Sequence, residues 1–295
     1  MSADPSTELG RVRAYLAERF PLAAYAVLVA LFHIAGSLAA VRLGGLGGGD
    51  GGGEIRWWAA VVVLLVFFHL RVFDEHKDFA KDVVSHPQRL LSRGVVTLPM
   101  LRRWAAVAIL LEALFAASCG GWAFAAWVGV FLFTVAMRYE FGVGTLLERN
   151  LLLYAVTHNP VVAGLALFIY ASTGAAWDNR YLLFVAAASF GSLGFEIGRK
   201  TRQPEEEIAS VPSYSSVYGR PLAGAMVQAC VAFCLVFATL FTHSLTDSWL
   251  PLLPMAAGFL LSRALARADS PAKRVESGAS AALLGMFVGV GIAAW

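Results

Sequence analysis

Residues 71–94 read RVFDEHKDFAKDVVSHPQRLLSRG and follow directly on a long apolar run. Asp74, Asp78 and Asp82 recur every fourth residue. Each step of four advances about 40° round an α-helix, so the three carboxylates share one face. Stacked like charges repel, and such a face persists where cations neutralise it. Oxygen ligands on one helix face suit Mg²⁺, which keeps several waters and is commonly completed by substrate phosphates. His86, Arg89 and Arg93 follow as donors for phosphate oxygens. Lys77 and Lys81 are interleaved with the acids, an arrangement that a solvated, membrane-flanking helix end would show equally well.

The rest of the chain sets that stretch in a membrane. Of 295 residues, 58% are hydrophobic and 15% charged, with a mean hydropathy of +0.67. That is too apolar for an ordinary soluble domain. Apolar segments long enough to span a bilayer fall near 20–41, 56–76, 97–118, 121–138, 150–172, 180–200, 219–242, 249–266 and 276–295. The expected fold is therefore all-α and integral to the membrane, with nine transmembrane helices. Residues 1–13 are polar and are expected to be disordered, and no cleavable signal pattern precedes the first span. Glycines dominate 44–53, which reads as a flexible loop. Cys119, Cys230 and Cys234 lie in apolar runs without metal-type spacing and read as packing residues.

Charge segregation orients the spans. With the N-terminus in the cytoplasm, 20 Lys and Arg residues fall inside and only Arg42, Arg56 and Arg180 outside. The positive-inside rule then puts the acid stretch in the cytoplasm and the C-terminus outside. A bacterial inner membrane is the expected location. A second polar connection, 195–220, lies on the same side and reads FEIGRKTRQPEEEIASVPSYSSVYGR. Glu196 and Lys200 stand one turn apart with Arg199 beside them, and Pro204 ends the helix. Two such loops about 120 residues apart hint at an internal duplication with a site between the halves.

These residues resemble the UbiA superfamily of intramembrane prenyltransferases. Asp74-xxx-Asp78-xxx-Asp82 is similar to its first signature, N/D-xxx-D-xxx-D. His86-Pro87-Gln88-Arg89-Leu90-Leu91-Ser92-Arg93-Gly94 resembles the P-x-R-P-L-x-x-G tail, with Leu90 in place of proline. Ser213–Gly219 resembles the segment closing the second signature. The resemblance implies one transmembrane domain over 14–295, with nine helices around a central cavity. It implies Mg²⁺ held by Asp74, Asp78 and Asp82, and transfer of a prenyl group from a polyprenyl diphosphate to a hydrophobic aromatic or lipid acceptor. Arg89, Arg93, Glu196, Arg199 and Lys200 would act on the diphosphate. Phosphoribosyl transfer to a lipid phosphate and terpene cyclisation occur on the same fold. A non-catalytic lipid binder or transporter is the alternative from another class. Charge concentrated at one membrane face, rather than at the midplane, favours processing of a headgroup.

Lys200 departs from the family pattern, standing where a metal-binding aspartate is usual. A lysine contacts phosphate directly but cannot bind Mg²⁺; Glu205 or Glu206 is the nearest replacement ligand. Four further residues are candidate substrate contacts. Glu112 is a mid-span carboxylate, costly in lipid. His158 and Asn159 precede the kinking Pro160, and Arg149 begins the fifth span. His33 and Ser37 form a weaker pair in the first span. Phe67, Phe68, Phe131 and Phe133 are candidates to line a prenyl tunnel.

Overall fold

The computed structural model describes residues 7–46, 52–208, 211–267 and 269–295. Among them the fold is all-helical. A short amphipathic helix, α1 (Glu8–Arg19), precedes α2 (Leu22–Leu46), α3 (Trp57–Ser85), α4 (Leu98–Ser118) and α5 (Gly121–Arg138). The chain continues through α6 (Gly144–Arg149), α7 (Leu151–His158), α8 (Pro160–Thr173) and α9 (Tyr181–Arg199). Then come α10 (Tyr214–Tyr218), α11 (Arg220–His243), α12 (Leu252–Leu265) and α13 (Ala272–Ala294).

Seven segments are long and apolar enough to cross a membrane: α2, α3, α5, α7 with α8, α9, α11 and α13. The nine expected spans all coincide with helices, but two differ in character. α4 carries Arg102, Arg103 and Glu112 in its 21 residues, and α12 is only 14 residues long. α12 is held by close packing instead. Gly258 lies against the Ala281 carbonyl and Gly285 against the Pro254 carbonyl, where a β-carbon would come within 2.6 and 2.4 Å of oxygen. Small residues of this kind let transmembrane helices approach backbone to backbone.

The helices close a ring, α2–α3–α4–α5–α8–α9–α11–α13 and back to α2. Phe32, Phe184, Phe241 and Phe287 interlock in its core. Leu110, Leu132, Leu240 and Leu260 face outward, as lipid-facing residues do. Six of the eight tryptophans, Trp57, Trp58, Trp122, Trp177, Trp249 and Trp295, are exposed at helix ends or in adjoining loops. Their loops are tied together at one end of the bundle: Arg56 donates to the Cys119 carbonyl, Glu54 N–H to Thr173, and Arg180 to Ser244. Tryptophans gathered at one level mark a membrane–water interface. Both polar connections lie at the opposite end.

Two expectations are corrected. Residues 8–13 are not a disordered tail: they form the first half of α1, capped by Thr7, whose hydroxyl accepts the Gly10 N–H at 3.0 Å. Tyr15 buries one face of α1 against Phe68 and Trp104, which pays for the ordering. The glycine-rich loop is not loop throughout, since 44–46 complete α2, and 47–51 lie outside the described residues.

Candidate active site

α3 runs unbroken from the apolar span into the acid stretch, so Asp74, Asp78 and Asp82 do lie on one helix. They do not converge. Two steps of about 40° separate Asp74 from Asp82 by about 80°, and each acid meets different neighbours. Among the described residues, no three Asp, Glu, His or Cys side chains are placed to hold one metal ion. The expected joint coordination by Asp74, Asp78 and Asp82 therefore has no preformed cluster among the described residues.

Asp74 points into the bundle. About half of its side chain, 51%, is reachable by water, although protein surrounds it. Lys77 Nζ lies 3.8 Å away, and Arg199, Glu196 and Lys200 stand within electrostatic reach. These three come from the end of α9. Glu196 is fully committed: Oε2 accepts from Arg199 Nε at 2.5 Å and Oε1 meets Lys200 Nζ at 2.9 Å. Tyr25 of α2 and Glu276 of α13 lie within electrostatic reach of Arg199. Polar side chains of α2, α3, α9 and α13 thus come within electrostatic reach of one another around the water-reachable Asp74.

Tyr154 of α7 joins this group. Lys77 Nζ donates to its hydroxyl at 2.5 Å and lies 4.9 Å from the ring centre, and Lys200 Nζ lies 5.5 Å from it. Both contacts are in the range of cation–π attraction. The two lysines, from separate motifs, therefore share one aromatic ring. Sequence reasoning missed Tyr154; its signal is the i, i+4 spacing to His158, which stacks on it at 4.0 Å.

Asp78 lines an open cleft of about 320 Å³ with Lys77, Lys81, Arg138, Tyr139, Glu140 and Glu148. Lys81 pairs with Glu148 at 2.6 Å, not with an acid of its own helix. Asp82 is held by Arg89, with Arg19 of α1 3.9 Å from the same oxygen. Asp74 and Asp78 make no hydrogen bond among the described residues. They are hard oxygen donors one turn apart and fit a Mg²⁺ that keeps most of its waters. Asp82, neutralised by guanidinium, does not fit.

The remaining candidates separate. Arg93 and Arg149 are exposed. Glu205 is exposed, and Glu206 is used by the loop itself, accepting N–H of Gln203 and Ala272 at 2.9 Å each. Those two bonds hold its carboxyl below the usual range. Asn159 donates to the Ser189 carbonyl at 3.0 Å, tying the kink to α9. His33 and Ser37 are buried 3.4 Å apart. Phe67, Phe68, Phe131 and Phe133 are each half-buried in aromatic contacts.

Glu112 has no exposed surface. Its Oε1 lies 2.7 Å from His69 Nδ1 and its Oε2 accepts from Trp127 Nε1 at 3.1 Å. His69 Nε2 meets Thr134 Oγ1 at 3.0 Å. Both oxygens have protein partners, so Glu112 clamps α3, α4 and α5 together. His69 was missed, although a mid-span acid demands a partner and His69 stands in the neighbouring apolar run.

No protein-family model matches this chain, and no curated protein does. Among solved structures, it resembles digeranylgeranylglyceryl phosphate synthase, described in membranes, with a TM-score of 0.59. The match covers 95% of this chain and 98% of that one, at 16% identity. The chain shares the fold of that synthase. That fold pairs here with the two motif-bearing helix ends, α3 and α9, meeting at one end of an apolar bundle. The likeness in architecture holds over almost the whole chain, and its apolar helices are those of an integral membrane protein.

Proposed function

We propose that this protein is an intramembrane prenyltransferase that moves a prenyl group from a polyprenyl diphosphate to a hydrophobic aromatic or lipid acceptor. One observation carries the reading. A carboxylate from the acid helix, Asp74, faces a lysine–arginine pair, Lys200 and Arg199, across a water-reachable space at the mouth of an apolar bundle. An amphiphile with a diphosphate head suits that division of polarity.

In this reading α2, α3, α4, α5, α7 with α8, α9, α11, α12 and α13 are nine spans. The motif loops face the cytoplasm, and a bacterial inner membrane is the setting. Asp74 and Asp78 hold one Mg²⁺. When bound, the ion neutralises charge that grows on the leaving diphosphate. Lys77, Arg199 and Lys200 supply fixed positive charge to the same oxygens, which favours ionisation of the allylic carbon. Lys77 and Lys200 are braced by Tyr154. The apolar bundle walls then keep water from the resulting cation.

The test incubates membranes containing the protein with Mg²⁺ and tritiated geranyl, farnesyl or geranylgeranyl diphosphate. 4-Hydroxybenzoate and a prenyl glyceryl phosphate serve as phenol and alcohol acceptors. Pyrophosphate release and a prenylated product are expected. Tight binding of the diphosphates without release would point to a lipid binder instead.

A further inference from the structure

We propose that His158 Nε2 is the base that takes the proton from the acceptor. The inference rests on the prenyl-transfer reading and adds a step to it. His158 Nδ1 lies 2.8 Å from the Tyr154 carbonyl. A carbonyl only accepts, so Nδ1 carries the hydrogen, and in the neutral ring Nε2 is an acceptor. Nε2 is buried and has no partner.

His33 and His76 also have an unpartnered Nε2. His158 is distinguished by its place. It stacks on Tyr154 at 4.0 Å and 15°, on the ring that Lys77 and Lys200 both flank. Lys77, Glu140 and Glu196 are the charged groups within its reach. Phe141 closes the site, edge-on to the imidazole at 5.5 Å and 83°. Phe141 is held there by an unusual turn: Glu140, Phe141 and Gly142 have φ of 50°, 54° and 73°. Two consecutive non-glycine residues in the left-handed region are strained, and strain of this kind clusters where a side chain must be aimed.

The chemistry requires such a base. The allylic C–O bond breaks and its electron pair leaves with the diphosphate. The acceptor's attacking atom forms the new bond to the allylic carbon and must shed its proton. His158 Nε2 takes that proton, and the imidazolium returns it to the departing diphosphate or to water. The lysines carry the diphosphate one ring away, so the base and the anion sites are adjacent but distinct.

The distinction gives the test. His158→Gln keeps a donor and an acceptor; His158→Phe keeps the stacked ring and removes both nitrogens. For each, the KM for tritiated geranylgeranyl diphosphate and the rate of transfer are measured with whichever of 4-hydroxybenzoate and prenyl glyceryl phosphate the unmodified protein accepts. Transfer should fall about 100-fold, while the diphosphate KM stays within about three-fold of that of the unmodified protein. A loss of transfer matched by a rise in diphosphate KM would assign His158 a structural role and overturn the proposal, as would unchanged transfer. If the unmodified protein releases no pyrophosphate with either acceptor, the prenyl-transfer reading fails, and this one with it.

Discussion

Replacing Glu112 by alanine should loosen the fold without acting on substrate. The substitution removes the partner of two buried donors, His69 Nδ1 and Trp127 Nε1. Each orphaned donor costs roughly 1–3 kcal/mol in a protein interior. In lipid the unfolded reference state also finds partners, and single interhelical bonds there average about 0.6 and reach about 1.7 kcal/mol. Freed space adds a packing loss, so a total of about 2–3 kcal/mol is reasonable. For a chain of this size that lowers the thermal midpoint by about 4–10 °C. Glu112→Gln keeps one acceptor and should cost about half as much. The double substitution His69→Leu, Glu112→Leu removes both ends of one pair but leaves Trp127 Nε1 without its acceptor, so it should recover about half of the loss, because breaking a buried polar pair costs more than replacing it. Thermal unfolding of purified protein in one detergent, followed by tryptophan fluorescence, measures all three. The KM for acceptor should stay unchanged at temperatures where the variants are folded. Unchanged stability of Glu112→Ala with a raised acceptor KM would refute the clamp and restore Glu112 to the substrate site.

Further expected outcomes follow from the separate fates of the acids. Asp74→Asn should lower turnover about 100-fold or more, whereas Asp82→Asn should cost under ten-fold, since Arg89 already neutralises it; equal losses would argue for joint metal binding. Lys200→Ala should raise the diphosphate KM and lower kcat together, because the contact strengthens as charge leaves; a change confined to acceptor KM would misplace Lys200. Glu206 has a lowered folded value, so its contribution is present above the ordinary glutamate value, about 4.3, and is lost as pH falls through the lower folded one. Protection of the Gln203 and Ala272 amides, taken relative to their intrinsic exchange rates, should therefore fall in acid in the native protein but be low at every pH in Glu206→Gln. Cysteines placed at Gln88 and Glu205 should react with an impermeant reagent only from the cytoplasm, and one at Trp122 only from outside; a shared side would overturn the topology.

Most of the architecture was legible because lipid imposes a simple rule. Backbone groups must be satisfied within the helix, so apolar runs such as 121–138 and 180–200 give helices nearly to the residue. The kink at Pro160 was readable for the same reason. Side-chain partners were not. A four-residue period places Asp74, Asp78 and Asp82 on one face, but it cannot say that Arg89 claims Asp82 from the following turn. Lys81 reads as a partner for its own helix until α6 brings Glu148 to it. α1 was hidden because only its single buried face, around Tyr15, distinguishes it from a polar tail.

The same partnering bears on the residue that breaks the family pattern. A metal at Glu196 would have to displace both Arg199 and Lys200, which already occupy its two oxygens. The second motif therefore arrives at the site neutralised by its own side chains. Counting the groups that face one another, Asp74 and Glu196 are opposed by Lys77, Arg199 and Lys200. Three cations against two carboxylates leave a small positive balance, enough to attract a diphosphate but not to neutralise one. In the proposed reading a single divalent ion at Asp74 and Asp78 adds to that balance, offset in part by the charge of Asp78. A second would meet a carboxylate already paired with two cations. In that reading Lys200 stands in for a metal ion, and Tyr154, by bracing Lys200 against Lys77, keeps that charge where an ion would otherwise sit.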